Sequence, residues 1–134
     1  SNPVGGTSLP MPARLAARRR PRYTPPSMPA TPEQVLHEVF GHDGFRGRQG
    51  EVVRHVCAGG SGLVLMPTGG GKSLCFQVPA LVRPGLAIVV SPLIALMEDQ
   101  VAALRQQGVA AAALHSELEE EERRAVWRDI MGGR

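Results

Sequence analysis

Apolar positions fall without period through residues 1–30 and become regular from Thr31 onward. Thr31-Pro32-Glu33-Gln34 offers an N-cap hydroxyl, Pro at the first helical position and Gln three residues after the cap, the signature of a capping box. Val35, Leu36 and Val39 then share one helical face, and Gly41 ends the helix beside Phe40. A second helix is expected from Arg48 to Cys57, with Val52, Val53 and Val56 inward and Gly59 and Gly60 closing it. Beyond it short aliphatic runs alternate with longer helical stretches, without internal repeat. Leu63 to Met66, Leu86 to Val90 and Ala110 to Leu114 read as buried strands; Lys72 to Leu81 and Pro92 to Gln106 read as helices. Ser116 is expected to cap a last helix, with Glu119 completing a capping box and Glu119–Arg123 and Glu120–Arg124 spaced to pair. This alternation predicts an α/β fold, a parallel sheet with flanking helices joined by right-handed crossovers.

Composition narrows the class. A chain of 134 residues with 43% hydrophobic content can bury one core and not two. With aromatics at 4%, packing must rest on Val, Leu, Ile and Ala, as in a parallel sheet between helices. No apolar run approaches the roughly 18 residues of a bilayer span, and no apolar signal core stands near the start, so a soluble protein without membrane partners is expected. Residues 1–30, rich in Pro, Arg, Gly and Ser, are expected to form a disordered leader, with a linker, an organelle transit peptide or a basic DNA-gripping arm as the alternatives. The pI near 9.5 suggests a nucleic-acid partner. Yet residues 1–32 hold five Arg and no acid, giving +5, while residues 33–134 hold nine Arg and one Lys against twelve acids, giving −2. The basic character belongs to the leader and says nothing of DNA binding by the rest. Cys57 and Cys75 lack metal-ligand spacing and read as buried free thiols of a reducing compartment.

The chemistry concentrates between the first expected strand and its helix, at Pro67-Thr68-Gly69-Gly70-Gly71-Lys72-Ser73. Glycines let successive backbone N–H groups point at phosphate oxygens, and a helix N-terminus behind them adds its dipole. Lys72 would reach the terminal phosphates of a bound nucleotide as a point charge, and the Ser73 hydroxyl would ligate Mg²⁺. The general pattern G-x-x-x-x-G-K-[ST] wants Gly where this chain has Met66, which alters the loop's entrance and leaves the cradle intact. Of fifteen cationic residues, fourteen are Arg, and the single Lys is Lys72. A compact ammonium is thus kept where a planar fork does not fit.

Three segments together resemble the RecQ family of ATP-dependent DNA helicases. Phe40 to Gln49, reading FGHDGFRGRQ, resembles that family's adenine-recognition motif; Met66 to Leu81, MPTGGGKSLCFQVPAL, is similar to its ATP-binding motif, in which Met66 is ordinary. Val89 to Gln100, VVSPLIALMEDQ, looks like the next helicase motif, and Leu114 to Trp127 resembles the segment after it. The resemblance implies a partial RecA-like domain over residues 31–134, Gln49 hydrogen-bonding the adenine edge, Arg46 supporting the base, and His42 stacking where the family commonly has Tyr. Thr68, Gly69, Gly70, Gly71, Lys72 and Ser73 would hold ATP and Mg²⁺, with Lys72 and Ser73 catalytic. Gly47 and Arg48 stand where the family often has Pro-Gly, which should loosen that loop. Ser91 and Pro92 sit at an expected helix start, where exposed N–H donors suit phosphates. By resemblance they, with Ser116, would meet the backbone of single-stranded or forked DNA.

Hydrolysis in such proteins also needs an acid pair for Mg²⁺ and water and a facing domain with its arginines. No Asp-Glu dipeptide occurs in the chain, so these parts and the C-terminal helicase domains are expected beyond Arg134, with this segment inactive alone. An incomplete sheet would leave an apolar edge, so marginal stability is expected too. The other readings are a phosphate-loop kinase or small NTPase, and a non-catalytic module binding DNA through its basic tail. The resemblance places such a protein in the bacterial cytoplasm at the nucleoid, or in the eukaryotic nucleus.

Overall fold

The computed structural model describes residues 30–67, 69 and 71–132. Residues 1–29 of the expected leader lie outside them, as do Thr68 and Gly70 of the phosphate loop. Five helices follow in order: α1 Pro32–Glu38, α2 Gln49–Cys57, α3 Lys72–Val82, α4 Ile94–Gln106 and α5 Glu120–Met131.

Local chemistry accounts for the first of them. The Thr31 hydroxyl accepts from the Gln34 N–H at 3.2 Å, and the Gln34 side chain accepts from the Thr31 N–H at 2.9 Å, which closes the capping box. At the other end Gly41 takes φ +71°, its N–H donates to the His37 carbonyl and the His42 N–H to that of Leu36. This left-handed turn throws the chain into the loop 42–48 that leads to α2. The core forms where α1, α2 and α3 meet. Val35, Leu36, Val53 and Val78 are at most 1% exposed, each such burial being worth roughly 1.5–3 kcal/mol. Val39, Phe40, Phe45, Leu74 and Leu81 pack around them. Ala30, which the sequence assigned to the leader, is buried in the same cluster.

The expected α/β architecture is overturned. No strand forms among the described residues, so there is no parallel sheet for a RecA-like domain to be built on. Leu63 to Met66, Leu86 to Val90 and Ala110 to Leu114 run between helices without a ladder. Their apolar side chains lie at the surface instead of between layers: Leu63, Leu65, Ile88 and Val90 are 80–92% exposed. β-Propensity describes how a side chain fits a pleated, half-buried surface; it cannot supply the neighbouring strand whose N–H and C=O groups make that surface.

Two helix starts also move. Ser91 and Pro92 precede α4, whose N-cap is Leu93; the Ser91 hydroxyl accepts from the Leu93 N–H at 3.4 Å, a turn two residues long in place of a cap. Ser116 is an exposed turn residue, and Glu119 is the N-cap of α5, with Glu122 completing the box. Arg124 pairs with Glu120 as expected, at 2.9 Å, but Arg123 turns to Glu120 and the Leu118 carbonyl, because Glu119 is committed to the cap. No described helix is long and apolar enough to cross a membrane.

Candidate nucleotide site

The loop 42–48, α2 from Gln49 to Val56, residues 62–67 and the start of α3 line a cleft of about 710 Å³. That volume lies within the roughly 300–1,000 Å³ usual for small-molecule sites. His42, Arg46 and Gln49 line it together with Gly69 and Gly71. Leu63 to Pro67, expected as a buried strand and its exit, form another wall.

Gln49 ties the two halves of the cleft. It is 3% exposed, its side-chain carbonyl accepts from the Arg46 N–H at 2.8 Å, and its amide donates to the Gly71 carbonyl at 3.1 Å. A carboxamide has two donors and two lone pairs, and these two bonds use one of each. Gly71, the N-cap of α3, has φ +76°, and a Cβ there would run into the Gln49 amide. Glycine is required twice over, by backbone handedness and by the side chain packed against it. Gly69 also takes φ +81°.

Lys72 is exposed, and its ammonium donates to the Met66 carbonyl at 3.1 Å, which leaves two donors free. Ser73 is half-buried in the first turn of α3. At the mouth of the cleft Arg48 and Glu51 form a two-bond fork at 3.0 and 2.9 Å. Hydrogen bonding and then the opposite charge hold the Glu51 carboxyl below the usual carboxylate range and raise Arg48 further. Gly47 takes φ +50°, which Pro cannot adopt, so the departure from Pro-Gly gives a differently routed loop that Arg48 ties to the first turn of α2. Cys57 and Cys75 are free thiols, both pushed up by burial. Ser91, Pro92 and Ser116 do not line the cleft.

Against known families, the DEAD/DEAH box helicase profile matches residues 46–133, from Arg46 of the cleft through the end of α5. The chain belongs to the DEAD/DEAH box helicase family. Among helicases of this kind it is 55% identical over 94 residues to the ATP-dependent DNA helicase RecQ of Synechocystis sp., covering 70% of this chain and 20% of that protein. It is 48% identical over 99 residues to the ATP-dependent DNA helicase RecQ of Pasteurella multocida, covering 74% and 16%. To the ATP-dependent DNA helicase Q1 of Rattus norvegicus it is 43% identical over 99 residues, again 74% and 16%. The RecQ likeness carried by the three motifs is borne out, and the chain spans a fifth or less of the length of these relatives.

Sequence reasoning missed two groups of this candidate site. The Met66 carbonyl as the lysine's acceptor and the Gly71 carbonyl as the glutamine's are backbone groups that side-chain motifs do not advertise. Arg54, which lies outside the cleft lining, was also passed over. It stands four residues after Gly50 on α2, hence on one helical face with it, and its guanidinium lies 5.9 Å from the centre of the Phe45 ring.

Proposed function

We propose that this chain is the ATP-binding segment of a RecQ-type, ATP-dependent DNA helicase that couples ATP hydrolysis to DNA unwinding, and that the segment alone is inactive. The observation that carries the reading is the hydrogen bond from Gln49 to Gly71, which joins the base-reading motif to the phosphate loop across one cleft. Membership of the DEAD/DEAH box family over residues 46–133 favours it over a phosphate-loop kinase.

The residues present fit the substrate and its ion. Gln49 would offer its spare donor and lone pair to the adenine edge, with His42 and Arg46 beside the base. The left-handed Gly71 directly ahead of the helical Lys72 is the kind of change in backbone handedness that aims successive N–H groups at an anion. The N-terminus of α3 adds its dipole, and Lys72 would exchange the Met66 carbonyl for a phosphate oxygen. Thr68 and Gly70 complete the loop in sequence. Ser73 would hold Mg²⁺, which supplies charge neutralisation on the phosphates. Ser91, Pro92 and Ser116 are assigned to the DNA backbone, on the resemblance of their segments alone.

The test uses the full-length protein. Lys72→Ala should abolish DNA-stimulated ATP hydrolysis, and Gln49→Ala should lower the preference for ATP over GTP in binding. Undiminished turnover by Lys72→Ala would sink the reading.

A further inference from the structure

Gln49 can face a base only if the loop that holds its side-chain carbonyl is itself held, and the contacts that hold it lie outside the cleft motifs. The Arg46 N–H that orients Gln49 follows directly on Phe45. Phe45 is half-buried against the core and lies so close to Gly50 that a Cβ there would sit 3.3 Å from the ring and 2.6 Å from the Arg54 guanidinium. The Arg54 guanidinium lies over the Phe45 ring, 5.9 Å from its centre, and is held by Glu33 of α1 at 3.2 Å. One chain of contacts therefore runs from Glu33 to Arg54, to Phe45, to the Arg46 N–H, to Gln49 and on to Gly71.

We propose that Arg54 is a positioning residue for base recognition: by clamping Phe45 over Gly50 it fixes the Arg46 N–H and so sets the orientation of the Gln49 amide. It touches neither substrate nor ion. This rests on the assignment of Gln49 to the adenine edge. Arg54 is suited to the task because a planar guanidinium can lie on a ring and still engage a carboxylate at its edge. Gly50 is suited because any side chain would push the clamp off the ring.

The experiment measures binding of Mg-ATP, Mg-GTP and inorganic tripolyphosphate to the full-length protein by calorimetry. Arg54→Met, which keeps the stem and removes the cation, should lower the ATP-over-GTP preference about fivefold, while tripolyphosphate affinity stays unchanged. Arg54→Lys should recover part of the preference. Gly50→Ala separates positioning from stability, since Ala favours helix over Gly. Its melting midpoint should hold or rise while the base preference falls. If Arg54→Met weakens all three ligands alike, the residue is only scaffold and the proposal is overturned. If Arg54→Met and Gly50→Ala keep the preference while Gln49→Ala loses it, this inference fails and the base-reading role of Gln49 stands. If Gln49→Ala itself keeps the preference, both fail.

Discussion

Residues 30–83 and 84–132 draw on the same aliphatic residues with different results. In the first region Val35, Leu36, Val53 and Val78 meet from three helices and are withdrawn from water. In the second, α4 and α5 bury no residue, only Val109 and the side chain of His115 are buried in the described chain around them, and Ile88, Val90, Leu93 and Trp127 are more than half exposed. Helix formation and packing are thus separable in this molecule. α4 and α5 span 13 and 12 residues, about the length at which an isolated helix is marginal in water. α5 rests on its Glu119–Glu122 box and on charge pairs such as Glu120–Arg124, and α4, which has no side-chain cap, is tied to the chain beyond it by Glu98 at 3.1 Å from the His115 ring, whereas α1 to α3 have a core behind them. The cleft belongs wholly to the first region.

The largest expected difference tests the core directly. Leu36→Ala removes a side chain that is 1% exposed and should cost about 2–5 kcal/mol in urea unfolding. Leu96→Ala on α4, where the side chain is 44% exposed, should stay within about 0.5 kcal/mol. Equal losses would erase the distinction between the regions. Next in size is a pair of left-handed glycines. Gly85→Ala, at φ +98° with open space around it, should cost only backbone strain, about 1–2 kcal/mol. Gly71→Ala meets the same strain and also the Gln49 amide, so it should lose more stability and, with it, nucleotide binding. Smaller again are the caps. Thr31→Ala should lower global stability by about 1 kcal/mol, because α1 is built into the core. Glu119→Ala should raise amide exchange along α5 and leave the global unfolding midpoint where it was.

What was legible in the sequence follows the same division. α1 could be read from four letters because its cap is satisfied by groups three residues apart, and Gly41 marked the turn because only glycine takes that handedness cheaply. The strands could not be read in this way. Leu63 to Met66 and Leu86 to Val90 have the right composition, but a strand exists only with a partner, and a run of letters does not specify one. The glycine-rich segment 69–73 could be singled out because its residues are contiguous. The bond from Gln49 to Gly71 spans 22 positions, and nothing local to either residue announces it. Ser91 and Ser116 show the opposite error. Both are good capping residues by type, yet Leu93 and Glu119 hold those places, since the cap is decided by where the helix can begin.

The smallest expected effect concerns the two helix starts that depend on glutamate. α2 has no side-chain cap on its N-cap residue, and the Arg48–Glu51 fork links that residue's side chain to the first turn; α5 uses Glu119 and Glu122. The folded chain holds Glu51 below the usual carboxylate range. Its contribution is therefore fully present above the unfolded carboxylate range and is lost as pH falls through the lower, folded value. Both partners are fully exposed, so the effect should be slight and should shrink further in high salt. The side-chain signal of Glu51, followed by NMR titration, should show a midpoint below the ordinary range that Arg48→Met returns to it. Acidification through that midpoint should loosen the first turn of α2, and the Arg46–Gln49 contact lies on that turn. A midpoint unmoved by Arg48→Met would mean that the fork does not order the cleft's mouth.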